Sequence, residues 1–277
     1  MGGITASGGY GLPMRTRLMT AAVSTAALAL GLTACGSSGG TTESGVSLVK
    51  SGTLSVCTQL PYKPFEFQQG SDVVGFDISL MDELAKQLGV KVAVVQTPFE
   101  GIQSGQALNT KQCDIAAAGM TITDARKKVI GFSDPYFDAT QALLVKKGGA
   151  KTLDDLAGKT IGVQQGTTGE IYTKKNAPKN ANIRVFEDLG LLTTAVKTGQ
   201  VDAAVQDNGP LLDYAKTNTD TEVTAEFDTG EQYGFGVSKN GGDKLKDAAD
   251  KMLSEVKDDG TYDSLYKKWF GQAAPQS

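Results

Sequence analysis

The sequence predicts an α/β protein with two lobes, each built on a parallel-rich sheet with helices on both faces. Predicted strands alternate with predicted helices in two successive β-α-β-α-β series, over residues 54–118 and 160–206. Helices inserted between strands are typical of parallel sheets whose two faces are covered. The polar stretch Lys146–Lys151 separates the two series, and their combined length fits two small domains.

The first series begins with a β-type run at Leu54–Gln59. Apolar residues then recur with a helical period over Ile78–Leu88, and Gly89 ends that helix. Valines alternate along Lys91–Gln96, which predicts a strand. The series closes with a helix at Phe99–Leu108 and a buried strand at Asp114–Ala118.

The second series has the same order of elements. It comprises strand Thr160–Val163, helix Gly169–Lys175, strand Ile183–Phe186, helix Leu189–Thr198, strand Asp202–Gln206 and a helix from about Pro210. Two further helices follow, at Asp243–Lys257 and Thr261–Phe270. The pattern alone does not assign these last helices to either lobe.

Residues 1–34 have the pattern of a secretory signal peptide, in which two arginines precede a short apolar run and small residues. Met14 is a better start than Met1, because the glycine-rich segment before it resembles no part of a signal. Leu32-Thr33-Ala34-Cys35 resembles the lipobox of bacterial lipoproteins. That resemblance implies a lipid on Cys35 and a protein held at the outer face of the cytoplasmic membrane; plain secretion is the alternative. Residues 35–45 then form a flexible tether, and residues 272–277 a tail.

Composition excludes several kinds of function. The net charge of −4 argues against nucleic-acid binding. The chain has no histidine, which removes a Ser-His-Asp arrangement and the commonest metal ligand, so no metal and no cofactor are expected. The glycine-containing loop over residues 162–169 lacks the spacing of a nucleotide-binding loop, although a helix N-terminus there can bind a small anion.

Arg126 stands at an unusual place in the pattern. Thr123 is a good N-cap and Asp124 suits the first turn of the helix that follows it. Arg126 does not suit that turn, because a cation at a helix N-terminus opposes the macrodipole. Its side chain either bends away into solvent or holds an anion with two parallel hydrogen bonds. The pattern alone favours solvent.

Five ordered motifs resemble the signature of the family 3 extracellular solute-binding proteins, and the resemblance covers nearly all of residues 54–271. Within that family, glutamine-binding and lysine/arginine/ornithine-binding proteins look closest. The motifs are Tyr62–Phe67, Gly75–Ala85, Gly119–Arg126, Phe132–Tyr136 and Gly260–Asp263.

The resemblance implies a type II periplasmic-binding-protein clam-shell with two crossing hinge strands, near Gln141–Lys146 and Thr229–Gly234. Lobe one would hold residues 46–142 and 230–271, and lobe two residues 143–229. The protein would be a monomer that captures an amino acid between the lobes and delivers it to the permease and ATPase of an ABC transporter. It would not be an enzyme. A cyclohexadienyl dehydratase-like enzyme on the same fold and a ligand-sensing subunit of a signalling system are the alternatives.

Matched positions also imply ligand contacts at the charged end of an amino acid. Arg126 would clamp the α-carboxylate, beside Thr121 and the backbone of Gly119, with Thr168 contributing from lobe two. Asp207 would receive the α-ammonium. The alternatives are a loop hydroxyl for Thr121, a surface charge for Arg126 and a helix N-cap for Asp207.

Tyr62 and Phe99 match the aromatic residues that sandwich the ligand side chain, with a place in the core as the alternative. The resemblance implies that Gln59 would face that side chain, at a position where the glutamine and basic-amino-acid binders usually carry aspartate. Its neutral amide favours a polar, uncharged ligand such as glutamine or asparagine over arginine or glutamate. Ser79 also departs from the family signature, at a position that usually holds an acidic residue.

Cys57 and Cys113 are the two cysteines that lipidation leaves free. Export permits a disulfide between them. A parallel offset of two or three residues between their strands would put the Cα atoms too far apart, whereas a small shift of the strand boundary would bring them within reach. Both outcomes remain open from the sequence.

Overall fold

The computed structural model describes residues 39–275. The predicted signal peptide, the start at Met14, the lipidated Cys35 and the last two residues of the predicted tail lie outside this range. Within it, no helix combines the length and the apolar character needed to cross a membrane.

The strands and helices follow one another in an order close to the predicted one. The strands are β1 (Gly40–Thr41), β2 (Ser47–Leu48), β3 (Thr53–Thr58), β4 (Phe67–Gln69), β5 (Asp72–Val74), β6 (Lys91–Gln96), β7 (Ile115–Ala116), β8 (Ile130–Phe132), β9 (Phe137–Lys146), β10 (Thr160–Gln164), β11 (Asn182–Phe186), β12 (Ala203–Asp207), β13 (Thr221–Tyr233) and β14 (Gly236–Ser238). The helices are α1 (Phe76–Leu88), α2 (Phe99–Gln103), α3 (Gln106–Asn109), α4 (Asp124–Lys127), α5 (Thr168–Asn176), α6 (Leu189–Thr198), α7 (Asn208–Thr217), α8 (Asp243–Asp258) and α9 (Thr261–Phe270).

Two five-stranded sheets organise these elements. The first sheet has the order β6-β3-β7-β14-β8, and the second has the order β11-β10-β12-β9-β13. In each sheet the first three strands are parallel and the last two are antiparallel to their neighbours. The sheets are therefore mixed rather than purely parallel. The β-α-β pattern did not predict β8 or β14, which are short and pair with segments distant in sequence, whereas the two crossing strands that the resemblance implies overlap β9 and β13.

Most predicted elements recur with small shifts at their ends. Helix α1 ends where predicted, with Gly89 in the left-handed conformation at φ 68°. The predicted helix over residues 99–108 is instead two short helices, because Gly105 adopts φ 73° between them. The predicted strand over residues 114–118 is reduced to β7. Part of the predicted tether is ordered, since β1 pairs with β2 in an antiparallel hairpin.

Strands β9 and β13 carry the chain between the two sheets. β9 follows β8 of the first sheet and lies in the second, and β13 precedes β14, which returns to the first sheet. The two long strands are antiparallel neighbours, paired at Phe137 with Tyr233 and at Ala139 with Glu231. Helices α8 and α9 then pack on α1, and α8 also packs on β14.

Aromatic side chains fill the core where the two crossing strands meet the first sheet. Phe65 is fully buried and packs edge-on against Phe137 at 4.8 Å and against Tyr233 and Phe270 at 5.3 Å between ring centroids. Such pairs contribute about 0.5–1.5 kcal/mol each beyond their burial. This packing fixes the ring of Tyr233 and so the position of its hydroxyl group.

A disulfide joins Cys57 and Cys113, whose Cα atoms are 5.6 Å apart. The register pairs Cys57 of β3 with Ala116 of β7, and Cys113 lies three residues before Ala116. An extended chain would hold the two cysteines too far apart. The backbone bends at Asp114, before β7 begins, and this bend brings Cys113 within reach.

Candidate functional site

Every residue that the sequence predicts to contact a ligand lines a single pocket. The empty space in this pocket, including the part open to solvent, is about 350 Å³. Its lining includes the eight predicted residues Gln59, Tyr62, Phe99, Gly119, Thr121, Arg126, Thr168 and Asp207. That these residues bind a ligand remains a prediction, but the structure brings them together.

The pocket forms where parallel strands of both sheets end. Gln59 directly follows β3, and Gly119 follows β7, in the first sheet. Thr168 begins α5 after β10, and Asp207 is the last residue of β12, in the second sheet. Loops at the carboxyl ends of parallel strands meet at one edge of a sheet, which is where α/β proteins bind small molecules.

Arg126 is buried on the pocket wall, with 4% of its surface exposed. Its Nη1 donates to the Thr121 carbonyl at 2.7 Å, and its Nη2 donates to the Gly166 carbonyl at 2.9 Å. The guanidinium also lies 5.1 Å from the centre of the Phe99 ring. The pattern-based preference for a solvent-exposed side chain is wrong. Helix α4 is a single turn, so the macrodipole argument behind that preference has little force.

No carboxylate within residues 39–275 lies at ion-pair distance from Arg126. Its remaining N–H groups also lack an acceptor in that part of the chain. Burial lowers the pKa of the guanidinium, while the charges of Asp207 and Glu231 oppose this shift. An arginine stays protonated in proteins, so the wall carries a buried cation able to bind an anion.

Asp207 is the buried anion of the same pocket. Its Oδ2 accepts hydrogen bonds from the hydroxyl groups of Tyr62, at 2.6 Å, and Tyr233, and its Oδ1 accepts one from Gln141 Nε2 at 2.6 Å. Desolvation, with the charge of Glu231, raises the pKa of Asp207 to about 6 despite these bonds. Asp207 also stands at the N-cap position of α7, but its side chain makes no capping bond.

Gly119 allows the ring of Tyr62 to reach Asp207. A Cβ atom at Gly119 would lie 2.5 Å from Tyr62 Cε1, and the backbone there adopts φ 49°. Only glycine accommodates both conditions without strain. The N–H of Gly119 donates to Asp77 Oδ2 at 3.0 Å, so this predicted contact group already has a partner.

Three glutamines form a hydrogen-bonded chain that crosses from the second sheet to the first. The backbone N–H of Asp207 donates to Gln206 Oε1 at 3.0 Å, and Gln206 Nε2 donates to Gln164 Oε1 at 2.9 Å. Gln164 Nε2 donates to Gln59 Oε1 at 2.7 Å, and Gln59 Nε2 reaches the Glu187 carbonyl at 3.3 Å. Backbone groups at both ends set the direction of the chain, and therefore the orientation of each amide. Gln164 and Gln206 were missed from the sequence.

A second buried carboxyl group, Glu66, also lines the pocket. It is fully buried, and neither of its oxygens has a hydrogen-bond partner within the described chain. Burial and the nearby charge of Asp77 raise the pKa of Glu66 well above its usual value. Asp77 itself has its pKa raised to about 6 by burial. Burial therefore favours the protonated form of Glu66. It stands in the Tyr62–Phe67 motif, which was the only sequence signal for it.

Comparisons with known proteins agree with this architecture. The family model of the bacterial extracellular solute-binding proteins, family 3, matches residues 54–272. The arginine-binding extracellular protein ArtP of Bacillus subtilis is 36% identical over 251 residues, which cover 88% of this chain and 94% of ArtP.

Solved structures extend the comparison to the fold. An ancestral arginine-binding protein, solved with arginine and with glutamine, is 43% identical with a TM-score of 0.75; the glutamine complex covers 80% of this chain and 99% of its own. An ancestral amino acid-binding protein, a precursor of cyclohexadienyl dehydratase, is 42% identical with a TM-score of 0.71 and covers 79% of this chain and 95% of its own. These neighbours are type II periplasmic binding proteins, so the predicted fold class is confirmed.

Proposed function

This chain belongs to the bacterial extracellular solute-binding proteins, family 3, and we propose that it captures a free amino acid in the pocket between its two sheets. The observation that carries the proposal is Arg126, a buried cation on the pocket wall without a carboxylate partner in the described chain. The α-carboxylate of an amino acid supplies that partner through charge-assisted hydrogen bonds.

The second charge of the ligand has a matching group. Asp207 is held by three donors on the same pocket, and an α-ammonium group would replace or join them. A neighbouring cation lowers the pKa of Asp207 from about 6, so binding of the ammonium favours the ionised carboxylate. A cation and an anion on one pocket, shielded from water, recognise a zwitterion strongly.

We propose that the ligand is polar and uncharged, with glutamine or asparagine ahead of arginine and glutamate. Gln59 and Gln164 line the pocket and spend one donor and one acceptor each on the glutamine chain. Each amide keeps one N–H and one lone pair, which is the complement of a carboxamide side chain. Burial raises the pKa of Glu66 and so disfavours a negative charge on this side chain.

Arginine is the strongest competitor. ArtP is an arginine-binding protein, and the ancestral arginine-binding protein has been solved with either ligand. Glu231 is a further carboxylate near Asp207, whose pKa it raises. A cationic ligand would gain from that charge, so a direct comparison of glutamine with arginine is needed.

A thermal-shift screen of the standard amino acids, followed by calorimetry, tests this function. The proposal expects stabilisation that grows with ligand concentration, about 2.7 kcal/mol at a hundred times the Kd. Arginine or glutamate binding ten-fold more tightly than glutamine and asparagine would refute the ligand class and leave amino-acid binding intact. Absence of any stabilisation would refute the function itself.

Capture would involve closure of two lobes, residues 46–142 with 230–271 and residues 143–229. Support comes from the two crossings of the chain between the sheets, at β9 and β13. Hinge motion around a ligand is the usual response of such a connection. Small-angle scattering should show a smaller radius with ligand than without.

The ligand would pass to an ABC permease and its ATPase, with the protein tethered by a lipid on Cys35 outside the cytoplasmic membrane. The disulfide between Cys57 and Cys113 supports an oxidising compartment. Cys35→Ser should move the protein from the membrane fraction to the soluble fraction of cells. Retention of that variant in membranes would contradict the anchor.

A dehydratase-like activity is the second candidate. The ancestral precursor of cyclohexadienyl dehydratase is among the similar structures, and the pocket contains Glu66 with a raised pKa, as a general acid requires. Asp207, a buried carboxylate of the same pocket suited to a ligand ammonium, favours binding instead. Turnover assays with prephenate and arogenate separate the two candidates.

A further inference from the structure

Glu231 is a carboxylate at the pocket edge that sequence patterns did not single out. It lies on β13, where it pairs with Ala139 of β9. Its Oε2 accepts hydrogen bonds from Thr168 Oγ1 at 2.8 Å, from Thr121 Oγ1 at 3.1 Å and from Gln141 Nε2 at 3.1 Å. The three donors come from the first sheet's loop, from α5 and from a crossing strand.

Two of these donors are the hydroxyl groups proposed to bind the ligand α-carboxylate. A threonine hydroxyl has a single proton to donate. While Thr121 and Thr168 donate to Glu231, they present only lone pairs to a second carboxylate. Both hydroxyl groups lie within hydrogen-bond distance of the same oxygen, Glu231 Oε2, which can accept both protons. Use by Glu231 and use by a ligand are therefore mutually exclusive for each proton.

We propose that Glu231 is an internal competitor of the ligand carboxylate: it holds the protons of Thr121 and Thr168 in the ligand-free protein and releases them when an amino acid binds. The inference rests on the proposed function. Glu231 then stabilises the ligand-free protein and weakens binding. Its charge also acts on Asp207 through a shared neighbour, since Gln141 Nε2 donates to both carboxylates.

Substitution of Glu231 tests the competition. Glu231→Gln removes the charge and keeps the shape, so the hydroxyl protons become easier to transfer to the ligand. Calorimetry with L-glutamine and L-arginine should show binding about ten-fold tighter than in the wild type. Glu231→Met, which has no carboxylate or amide acceptor, should bind at least as tightly as Glu231→Gln.

Glu226→Gln is the matched control. Glu226 lies on the same strand, is exposed, and accepts hydrogen bonds from Thr140 Oγ1 at 3.3 Å and Asn208 Nδ2 at 2.9 Å, away from the pocket. Its substitution should leave affinity unchanged. Unfolding of ligand-free Glu231→Gln should occur at a lower temperature than in the wild type. If Glu231 had only a structural role, Glu231→Gln would lower both the stability and the affinity of the protein. If Glu231 competes with the ligand, the same substitution lowers the stability and raises the affinity.

A double-mutant cycle with Thr168→Val identifies the route. In that background one of the two contested protons is absent, so Glu231→Gln should improve affinity by a smaller factor than in the wild type. An equal factor in both backgrounds would overturn the competition for hydroxyl protons.

The two proposals fail in different ways. If the wild type binds an amino acid and Glu231→Gln binds it equally or more weakly, this inference is overturned and the function stands. If the wild type binds no amino acid but Glu231→Gln does, the inference is supported, because Glu231 would then compete strongly enough to prevent binding. Absence of binding in every variant overturns both proposals.

Discussion

The two ends of the pocket are built from different chemistry. At one end a buried guanidinium, Arg126, and a buried carboxylate, Asp207, provide full charges. At the other end Gln59 and Gln164 provide neutral amides, fixed by a chain of hydrogen bonds. The charged end suits what all amino acids share, and the amide end suits what distinguishes one from another. We therefore expect substitutions at the charged end to alter mainly the strength of binding and those at the amide end to alter mainly the choice of ligand.

Arg126→Ala should have the largest effect, because it removes the only cation among the predicted contacts. Loss of the charge-assisted pair should cost at least about 3 kcal/mol and abolish measurable binding. Calorimetry of the variant checks this, with Lys127→Ala, the exposed neighbour, as the control. Circular dichroism should show an intact fold. Near-normal affinity in Arg126→Ala would reject the charged end.

Affinity should also fall in acid. Asp207 has a pKa near 6 without ligand, and the ammonium needs the ionised form. Between pH 7.5 and pH 5 the wild type should lose about ten-fold in affinity through protonation of this group. Asp207→Asn should bind weakly with no such dependence, which separates Asp207 from Asp77, whose pKa is also about 6. An unchanged slope in Asp207→Asn would assign the titration elsewhere.

Asp207 also makes stability depend on pH, with the opposite sense. Its pKa in the folded protein lies above that in the unfolded chain, so its contribution is complete below about pH 4 and is lost as pH rises through about 6. The free energy of unfolding of the ligand-free protein should therefore be measured between about pH 4 and pH 6. It should fall less over this range in Asp207→Asn than in the wild type.

At the amide end, Gln59→Asp should change the choice of ligand more than the strength of binding. The new carboxylate would compensate the desolvation of a cationic side chain. We expect the ratio of arginine to glutamine affinity to rise about ten-fold, measured by competition binding. Gln165→Asp, an exposed position next to the pocket loop, is the control for a general charge effect. A ratio that changes equally in both variants would show that Gln59 does not face the ligand side chain.

The disulfide should affect affinity least. The double variant Cys57→Ser, Cys113→Ser should have a free energy of unfolding about 2–4 kcal/mol lower than the wild type, because the bridge closes a long loop. Affinity should stay within two-fold, roughly the error of such comparisons, since neither cysteine lines the pocket. Titration of denatured, unreduced protein should find no free thiol from this pair.

Local sequence patterns were sufficient to predict most of the helices and several of the parallel strands between them. The alternation of strands and helices predicted β6, α6 and α9 with their observed ends. The antiparallel strands depend on pairing between distant segments, such as β14 with β8, and no local period reports that. Helix period likewise could not foresee that Gly105 divides one helix into two.

The site shows the same division. Arg126 and Asp207 were identified through the family resemblance, since each has a short motif or strand end to mark it. Gln206 and Glu231 were missed because their partners lie far along the chain: Gln206 bonds Gln164, and Glu231 bonds Thr121. Polar residues on strands are usual, and only the three-dimensional pairing shows which of them converge on the pocket.

The paired crossing strands limit how the two sheets can move. A single connecting strand would allow bending and twisting about several axes. Here β9 and β13 are hydrogen-bonded to one another at the crossing, from Phe137 with Tyr233 to Ala139 with Glu231, and the register shifts between Phe227 and Glu231. Twisting would break these bonds, whereas bending across the ribbon preserves them. We expect the motion to have one degree of freedom, so that a single pair of fluorescent labels, one on each sheet, would follow the whole reaction coordinate.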